Sequence, residues 1–247
     1  MKKPKVVVVM PAYNAARTVK RTYDDIPKEV VDEIILVDDA SRDETVQVAK
    51  ALGIKVFVHE ENKGYGGNQK TCYTHALEEG ADIVVMLHPD YQYDPKLIPN
   101  MIVPILEGRA DLVLGSRLLD GKALEGGMPR YKYISNRFLT TAENIVLSQR
   151  LSEMHTGYRA YTRKLLETIP FINNSDNFVF DTEVIVQTVA FGFRIAEVGV
   201  PAVYNEEASS ISFLPSVFYG FSTLSTLAKY LLQKMGIKNK IFEGLNK

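Results

Sequence analysis

Five short apolar runs, at residues 6–10, 33–37, 55–59, 83–87 and 112–115, punctuate the first half of the chain, and each is rich in β-branched residues. Runs of this length and composition predict strands. Amphipathic stretches near 15–25, 43–52, 67–79 and 95–107 separate them and predict helices. The apolar runs are continuous rather than alternating, so their strands must be covered on both faces. That requirement selects an α/β fold with a mostly parallel central sheet and helices on both faces. Ser41 and Glu44 have the spacing of a capping box and are expected to open the second helix.

The second half is less regular. It predicts a helix over 131–151, a polar segment over 152–159, a helix over 181–191, a strand at 194–198 and a last helix over 215–235. With no internal repeat, low-complexity tract or long linker, residues 1–247 read as one domain. Hydrophobic residues make up 46% of the chain, enough for a large core. The net charge of −1, with Lys and Arg dispersed, argues against a nucleic-acid-binding face. A lone cysteine, Cys72, rules out an internal disulfide and fits a reducing, cytoplasmic setting. The run at 6–10 is too short for a signal-peptide core. Residues 208–228 carry no charge, but their serines and threonines and Pro215 make them a poor membrane span. A soluble protein with peripheral membrane contact is expected.

Ligands of such sheets sit outside the carboxyl ends of the strands. The segments there, 11–14, 38–41, 60–67, 88–92 and 116–117, are polar or glycine-bearing and form the expected active-site rim. After the first strand stands Pro11-Ala12-Tyr13-Asn14, not the glycine-rich turn of a dinucleotide-binding fold, and there is no P-loop. Oxidoreductase and ATPase chemistries are thereby disfavoured. Asp38-Asp39-Ala40-Ser41 follows the second strand, where a carboxylate accepts hydrogen bonds from a ribose or a base. Either Asp38 or Ser41 also reads as a helix cap. The third strand leads into Asn62-Lys63-Gly64-Tyr65-Gly66-Gly67-Asn68-Gln69, whose glycines permit close approach to a ligand. His88-Pro89-Asp90-Tyr91-Gln92 follows the fourth. A nucleoside diphosphate leaving group needs its charge neutralised, and a divalent cation held by few protein oxygens is the usual means where no P-loop exists. Asp90 suits that task, with Gln92 and His88 beside it.

In this order, Pro11-Ala12-Tyr13-Asn14, Val37-Asp38-Asp39-Ala40-Ser41, Asn62-Lys63-Gly64, Pro89-Asp90-Tyr91-Gln92-Tyr93 and Gly115-Ser116-Arg117 resemble the motifs of family 2 glycosyltransferases. The branch most resembled is the dolichyl- or polyprenyl-phosphate sugar synthases, and the likeness continues more loosely through Glu153-Met154-His155-Thr156-Gly157-Tyr158-Arg159. The resemblance implies a GT-A (Rossmann-like nucleotide-diphospho-sugar transferase) fold, with a nucleotide-sugar and metal half at 1–120 and an acceptor half at 121–247. It also implies an inverting transfer from an NDP-sugar, UDP ahead of GDP, with Mg²⁺ or Mn²⁺. Pro11, Ala12, Tyr13, Asn14, Asp38 and Asp39 would hold the nucleotide, with Gly66 and Gln69 from the glycine-rich turn beside them. Asp90, Gln92 and His88 would hold the metal and diphosphate. Arg117 would face the phosphate of a polyprenyl (dolichyl-type) phosphate acceptor, supported by Lys132, Arg130 or Arg137. A saccharide or other small acceptor, or nucleotide-sugar binding without turnover, are the alternatives. Two positions depart from the family pattern. His88 replaces an acid, which suits Mn²⁺ better than Mg²⁺, and Glu153 replaces the shorter Asp.

A phosphate acceptor is already anionic at neutral pH, so positioning and charge neutralisation suffice. A hydroxyl acceptor needs a base. Glu153 is the first candidate and His155 the second, with a structural Glu153–Arg159 pair as the competing reading. Asp181 and Glu183 read as helix-start charges. Phe213, Leu214, Val217, Phe218, Tyr219 and Phe221 read as core, as a homodimer interface, or as an apolar wall for a prenyl chain. Lys229, Lys234, Lys238 and Lys240 add a weak attraction to anionic membrane.

Overall fold

The computed structural model describes residues 3–121, 123–201 and 213–245. The five expected apolar runs become β1 (Val6–Ala12), β2 (Glu33–Asp38), β3 (Lys55–Val58), β4 (Ile83–Met86) and β5 (Leu112–Ser116). The helices between them are α1 (Val19–Asp25), α2 (Thr45–Ala51), α3 (Gly64–Glu78) and α4 (Ile98–Leu106). Beyond them come α5 (Arg130–Leu147), β6 (Arg159–Thr162), α6 (Arg163–Thr168), α7 (Phe180–Ala190), β7 (Ile195–Gly199) and α8 (Phe213–Lys234). The seven strands form one sheet in the order β3-β2-β1-β4-β6-β5-β7. Its pairs are parallel except around β6, which runs antiparallel to both β4 and β5.

Burial on both faces follows from the sequence pattern. Val7, Val9, Ile35, Val37, Val84 and Met86 face one apolar layer, which Tyr73 and Ala76 of α3 and Val184 and Ile185 of α7 complete. Their neighbours Val6, Val8, Met10, Leu36, Ile83 and Val85 face the other, closed by Val19 of α1, Ala49 of α2 and Met101 of α4. With both faces apolar, polar chemistry is confined to the strand ends. The strand order reverses beside β1, whose neighbours are β2 and β4. This is where an open α/β sheet leaves a crevice.

Four expectations are corrected. The capping box does not form: Ser41 Oγ accepts the backbone N–H of Asn14 instead, and Asp43 accepts that of Thr45 at the start of α2. The glycines at 64, 66 and 67 are not a loop but the first turn of α3. Gly66 lets that turn approach the chain before α7, because a Cβ there would stand 2.3 Å from the carbonyl oxygen of Ser175. Helix α5 stops at Leu147, where Ser148 takes a left-handed conformation and the Asn144 side chain bonds the backbone of Leu151. Finally, β6 and α6 lie where no element was expected. β6 is four residues long and carries a wholly buried arginine, so it has no apolar signature.

Among the described residues no helix is long and apolar enough to cross a membrane. The uncharged stretch at 208–228 lies outside the described residues as far as 212, and α8 takes up the rest. On α5 and α8, Ile134, Phe138, Phe218 and Phe221 are 65–71% exposed. The one acid in either helix, Glu143, is wholly buried, so neither helix shows an acidic side chain to solvent.

Gly66→Ala should destabilise the fold by about 1–3 kcal/mol through overpacking. Urea unfolding measures this. A loss well below that range would mean that α3 and the 175–177 segment can separate freely.

Candidate active site

A cleft of about 550 Å³ opens at the carboxyl ends of β1 and β4 and extends past Arg117 to α5 and α8. Asn14, Ala40 and Tyr91, on the turns after β1, β2 and β4, have φ of 52°, 60° and 58°. Non-glycine residues avoid this region, and where a fold enforces it the position is commonly functional. The first two turns are clipped together, since Arg42 N donates to Asn14 Oδ1 at 2.8 Å and Asn14 N to Ser41 Oγ at 2.8 Å.

At the β1–β2 end, Pro11, Ala12, Tyr13, Asn14 and Asp39 line the cleft. Asp39 is nearly buried, and its carboxylate accepts the N–H groups of Lys63 and Gly64 at the start of α3 while contacting His59 Nδ1 at 2.7 Å. The positive end of α3 is thus already occupied by a protein anion. Gly66 N donates to Asp176 O at 2.7 Å. A diphosphate cannot be held at this helix as it would be at a P-loop. Asp38, Gly66 and Gln69 do not line the cleft. Asp38 is buried and takes Ser41 N at 2.9 Å, which makes it the turn-capping residue of its pair. Gln69 bonds Asp181 and Tyr73 one layer below.

His88, Asp90 and Gln92 reach the cleft from the turn after β4. Gln92 N donates to Asp90 Oδ1 at 3.0 Å. The His88 ring stacks on Tyr65, whose hydroxyl is 3.3 Å from His88 Nε2 and donates to Asp181 Oδ2 at 2.7 Å. Gly157 makes room for His88, since a Cβ there would lie 2.8 Å from the ring. Among the described residues no cluster of three or more His, Cys, Asp or Glu is arranged to hold a metal. One carboxylate and one amide fit a divalent cation only where phosphate oxygens complete its shell, an arrangement typical of Mg²⁺ on nucleotides.

Further along, Arg117 follows β5 and its side chain is 9% exposed. Glu153 is wholly buried behind it, taking Arg117 N at 2.7 Å, Arg117 Nε at 3.0 Å and Asn136 Nδ2 at 2.8 Å. Burial would raise the Glu153 carboxyl, but the guanidinium and these hydrogen bonds outweigh it and hold the group below its ordinary value. Glu153 therefore orients Arg117 and does not reach the cleft as a base. Arg159 is not its partner: that guanidinium bonds the carbonyls of Thr156 and Asp181 and lies 3.5 Å from Asp181 Oδ1. Lys132 lines the cleft, its ammonium lowered by burial and then by Arg117. Arg130 and Arg137 are exposed and outside the lining.

Several lining residues have a different expected role or none. Asp181 is, as expected, an acid in the first turn of α7, and it is also a cleft wall that anchors Tyr65 and Gln69. Glu183, in the same turn, caps the chain at Ser175 N. Asn62, Asn68, Tyr93, Asn136 and Tyr219 also line the cleft. Asn62 and Asn68 lie in the expected glycine-rich segment, Tyr93 in the motif after the fourth strand and Tyr219 in the aromatic run. Nothing local marks Asn136.

The sequence model of Glycosyl transferase family 2 matches residues 7–170. An uncharacterised protein of Methanocaldococcus jannaschii, MJ1222, is 30% identical over 94% of this chain and 93% of its own length. The UDP-N-acetylglucosamine–dolichyl-phosphate N-acetylglucosaminyltransferase of Methanococcus voltae is 28% identical over 94% of this chain and 96% of its own. Among solved structures, glucosyl-3-phosphoglycerate synthase of Mycobacterium tuberculosis, in complex with Mn²⁺, UDP and glucosyl-3-phosphoglycerate, superposes with a TM-score of 0.70. That match has 23% identity and covers 96% of this chain and 82% of the synthase. It shows the GT-A fold.

Glu153→Gln should cost about 3–5 kcal/mol, because it removes the charged carboxylate that clamps the buried Arg117 guanidinium. Chemical unfolding of the variant measures it. A loss below about 1 kcal/mol, the range of exposed pairs, would mean that Arg117 is solvated rather than clamped.

Proposed function

Because the chain belongs to glycosyl transferase family 2, we propose that it moves a sugar from a UDP-sugar to a polyprenyl phosphate, with inversion at the anomeric carbon. The observation that carries this reading is the cleft's layout. Pro11–Asn14 and Asp39 stand at one end, Arg117 and Lys132 stand toward the other, and α5 and α8 lead out with apolar, acid-free surfaces. A cationic site beside such a surface suits an anionic headgroup on a greasy chain. The M. voltae relative is named for a UDP-sugar donor and a dolichyl phosphate acceptor, which supports both halves of the reading. Peripheral contact of α5 and α8 with a membrane is part of it.

In this reading the 11–14 turn and Asp39 hold the nucleoside, the latter fixed by α3. Asp90 and Gln92 would hold a divalent cation, which neutralises the diphosphate when bound. His88 stands beside that pair, its Nε2 facing Tyr65. Arg117, held by Glu153 and by the carbonyl of His155, aims its charge at the acceptor phosphate. An acceptor oxygen bonds to the anomeric carbon as the bond from that carbon to the diphosphate breaks, and the bonding electrons leave with the diphosphate. Catalysis is then chiefly orientation and fixed charge.

Titration calorimetry with UDP and GDP, each with and without Mn²⁺, followed by transfer assays on a polyprenyl phosphate, tests the reading. UDP is expected to bind in a metal-dependent manner. Asp90→Ala should weaken that binding by at least about tenfold, near 1.4 kcal/mol. Metal-independent UDP binding in the wild type would remove Asp90 from this role. Lys132→Met should raise the acceptor KM by about tenfold and leave UDP affinity in place. If both change together, Lys132 serves the donor.

A further inference from the structure

Glu143, on the inner face of α5, is wholly buried, and neither of its carboxylate oxygens has an aligned hydrogen-bond donor among the described residues. The group at ion-pair distance is the His155 imidazole, whose Nε2 lies 2.9 Å from Oε2. A carboxylate buried in this way is destabilising by several kcal/mol and calls for a functional explanation. On the other side of the ring, Nδ1 is 2.6 Å from the Tyr219 hydroxyl, which is also 3.2 Å from Thr182 Oγ1. With hydrogen on Nε2, the nitrogen that faces the carboxylate, Nδ1 is the acceptor for the phenolic hydrogen. His155 and Tyr219 both line the cleft, and the His155 carbonyl accepts Arg117 Nη2 at 2.8 Å. The array therefore stands at the acceptor end.

Nδ1 is taken by Tyr219 and Nε2 faces Glu143, so of the three groups the phenol is the one placed to meet an acceptor. Burial, then the Glu143 charge, pushes the Tyr219 phenol above its ordinary value. It stays protonated, and it can take up a proton only by passing its own onward. The other charges that act on it are Asp181 from α7 and Arg159 from β6.

We propose that Tyr219, His155 and Glu143 form a proton relay that deprotonates an acceptor arriving with an O–H nucleophile, either a hydroxyl or a phosphate monoester in its monoanionic form. The acceptor oxygen bonds to the anomeric carbon as its O–H bond breaks. That proton passes to Tyr219 Oη, the phenolic proton passes to His155 Nδ1, and the imidazolium faces Glu143. The diphosphate departs with the electrons of the broken glycosyl bond, and the relay resets by releasing one proton to solvent. Tyr219 touches the acceptor, whereas His155 and Glu143 act through it. The relay rests on glycosyl transfer, but not on the lipid phosphate.

The test measures transfer from UDP-glucose, UDP-N-acetylglucosamine and GDP-mannose to a short polyprenyl phosphate between about pH 5.5 and 8.5, a range that spans the second ionisation of a phosphate monoester near 6. Hydrolysis of the same donors by water is followed without acceptor. Tyr219→Phe is expected to lose about 100-fold in kcat at the acid end and under about tenfold at the alkaline end. Its hydrolysis should fall by about 100-fold throughout, because water always needs deprotonation. His155→Gln should follow the same pattern, as should Glu143→Gln with a smaller loss, and retained UDP affinity shows that each variant is folded. A loss that is uniform with pH in transfer, or absent from both reactions, overturns the relay. A wild-type protein that hydrolyses donor yet never uses the lipid phosphate defeats only the lipid reading, and hydrolysis then decides the relay. If no donor is consumed, both fail.

Discussion

One wall of the cleft hangs on one wholly buried guanidinium. Arg159, on the antiparallel strand β6, donates to the carbonyls of Thr156, Asp181 and Met154 and pairs with the Asp181 carboxylate. Asp181 in turn fixes Tyr65 and Gln69 of α3. One cation thus ties the central sheet, the 153–157 loop, α7 and α3 together. That loop carries Glu153, which clamps Arg117, and Gly157, against which His88 rests. A buried charge of this kind is tolerable only when every partner is in place, so the wall of the cleft assembles as a unit.

The same economy governs three further carboxylates. Asp39 is engaged by α3 and His59, Glu153 by Arg117 and Asn136, and Asp181 by Arg159, Tyr65 and Gln69. Each of these acids is held in place by protein partners, and Asp39 and Asp181 also line the cleft. The N-terminus of α3 is therefore not free for a phosphate in this chain.

The sheet, its parallel sense and the rim could be read from the sequence because they follow from local rules. Apolar continuity marks strands buried on both faces, and polar residues collect where those strands end. What could not be read has a common cause, in that side chains found partners far along the chain. Glu153 and Arg159 are six residues apart and suggest a pair, yet β6 turns Arg159 into the core toward α7 while Arg117 arrives from β5. Asp181 sits at a helix start, where a local reading makes it a dipole charge, and only the packing of α3 against α7 shows it as a cleft wall. Tyr219 lies in an aromatic run and looks like its neighbours, but Phe218 and Phe221 point to solvent while its own hydroxyl meets His155. The strand β6 was hidden because it is only four residues long and opens on the buried Arg159, which leaves Ala160 and Tyr161 as its apolar contribution to the core.

The three turns at φ near 50–60°, at Asn14, Ala40 and Tyr91, bear on how such a chain evolves. Each non-glycine residue held there costs of order 1–3 kcal/mol, a large fraction of a domain's net stability of about 5–15 kcal/mol. Glycine would relieve the strain at any of them, although it would also loosen the unfolded chain. Selection for endurance alone would drift toward that relief. Keeping side chains there ties the shape of the rim to the stability of the core, so mutations that erode the core also narrow the range of rim geometries the chain can sustain.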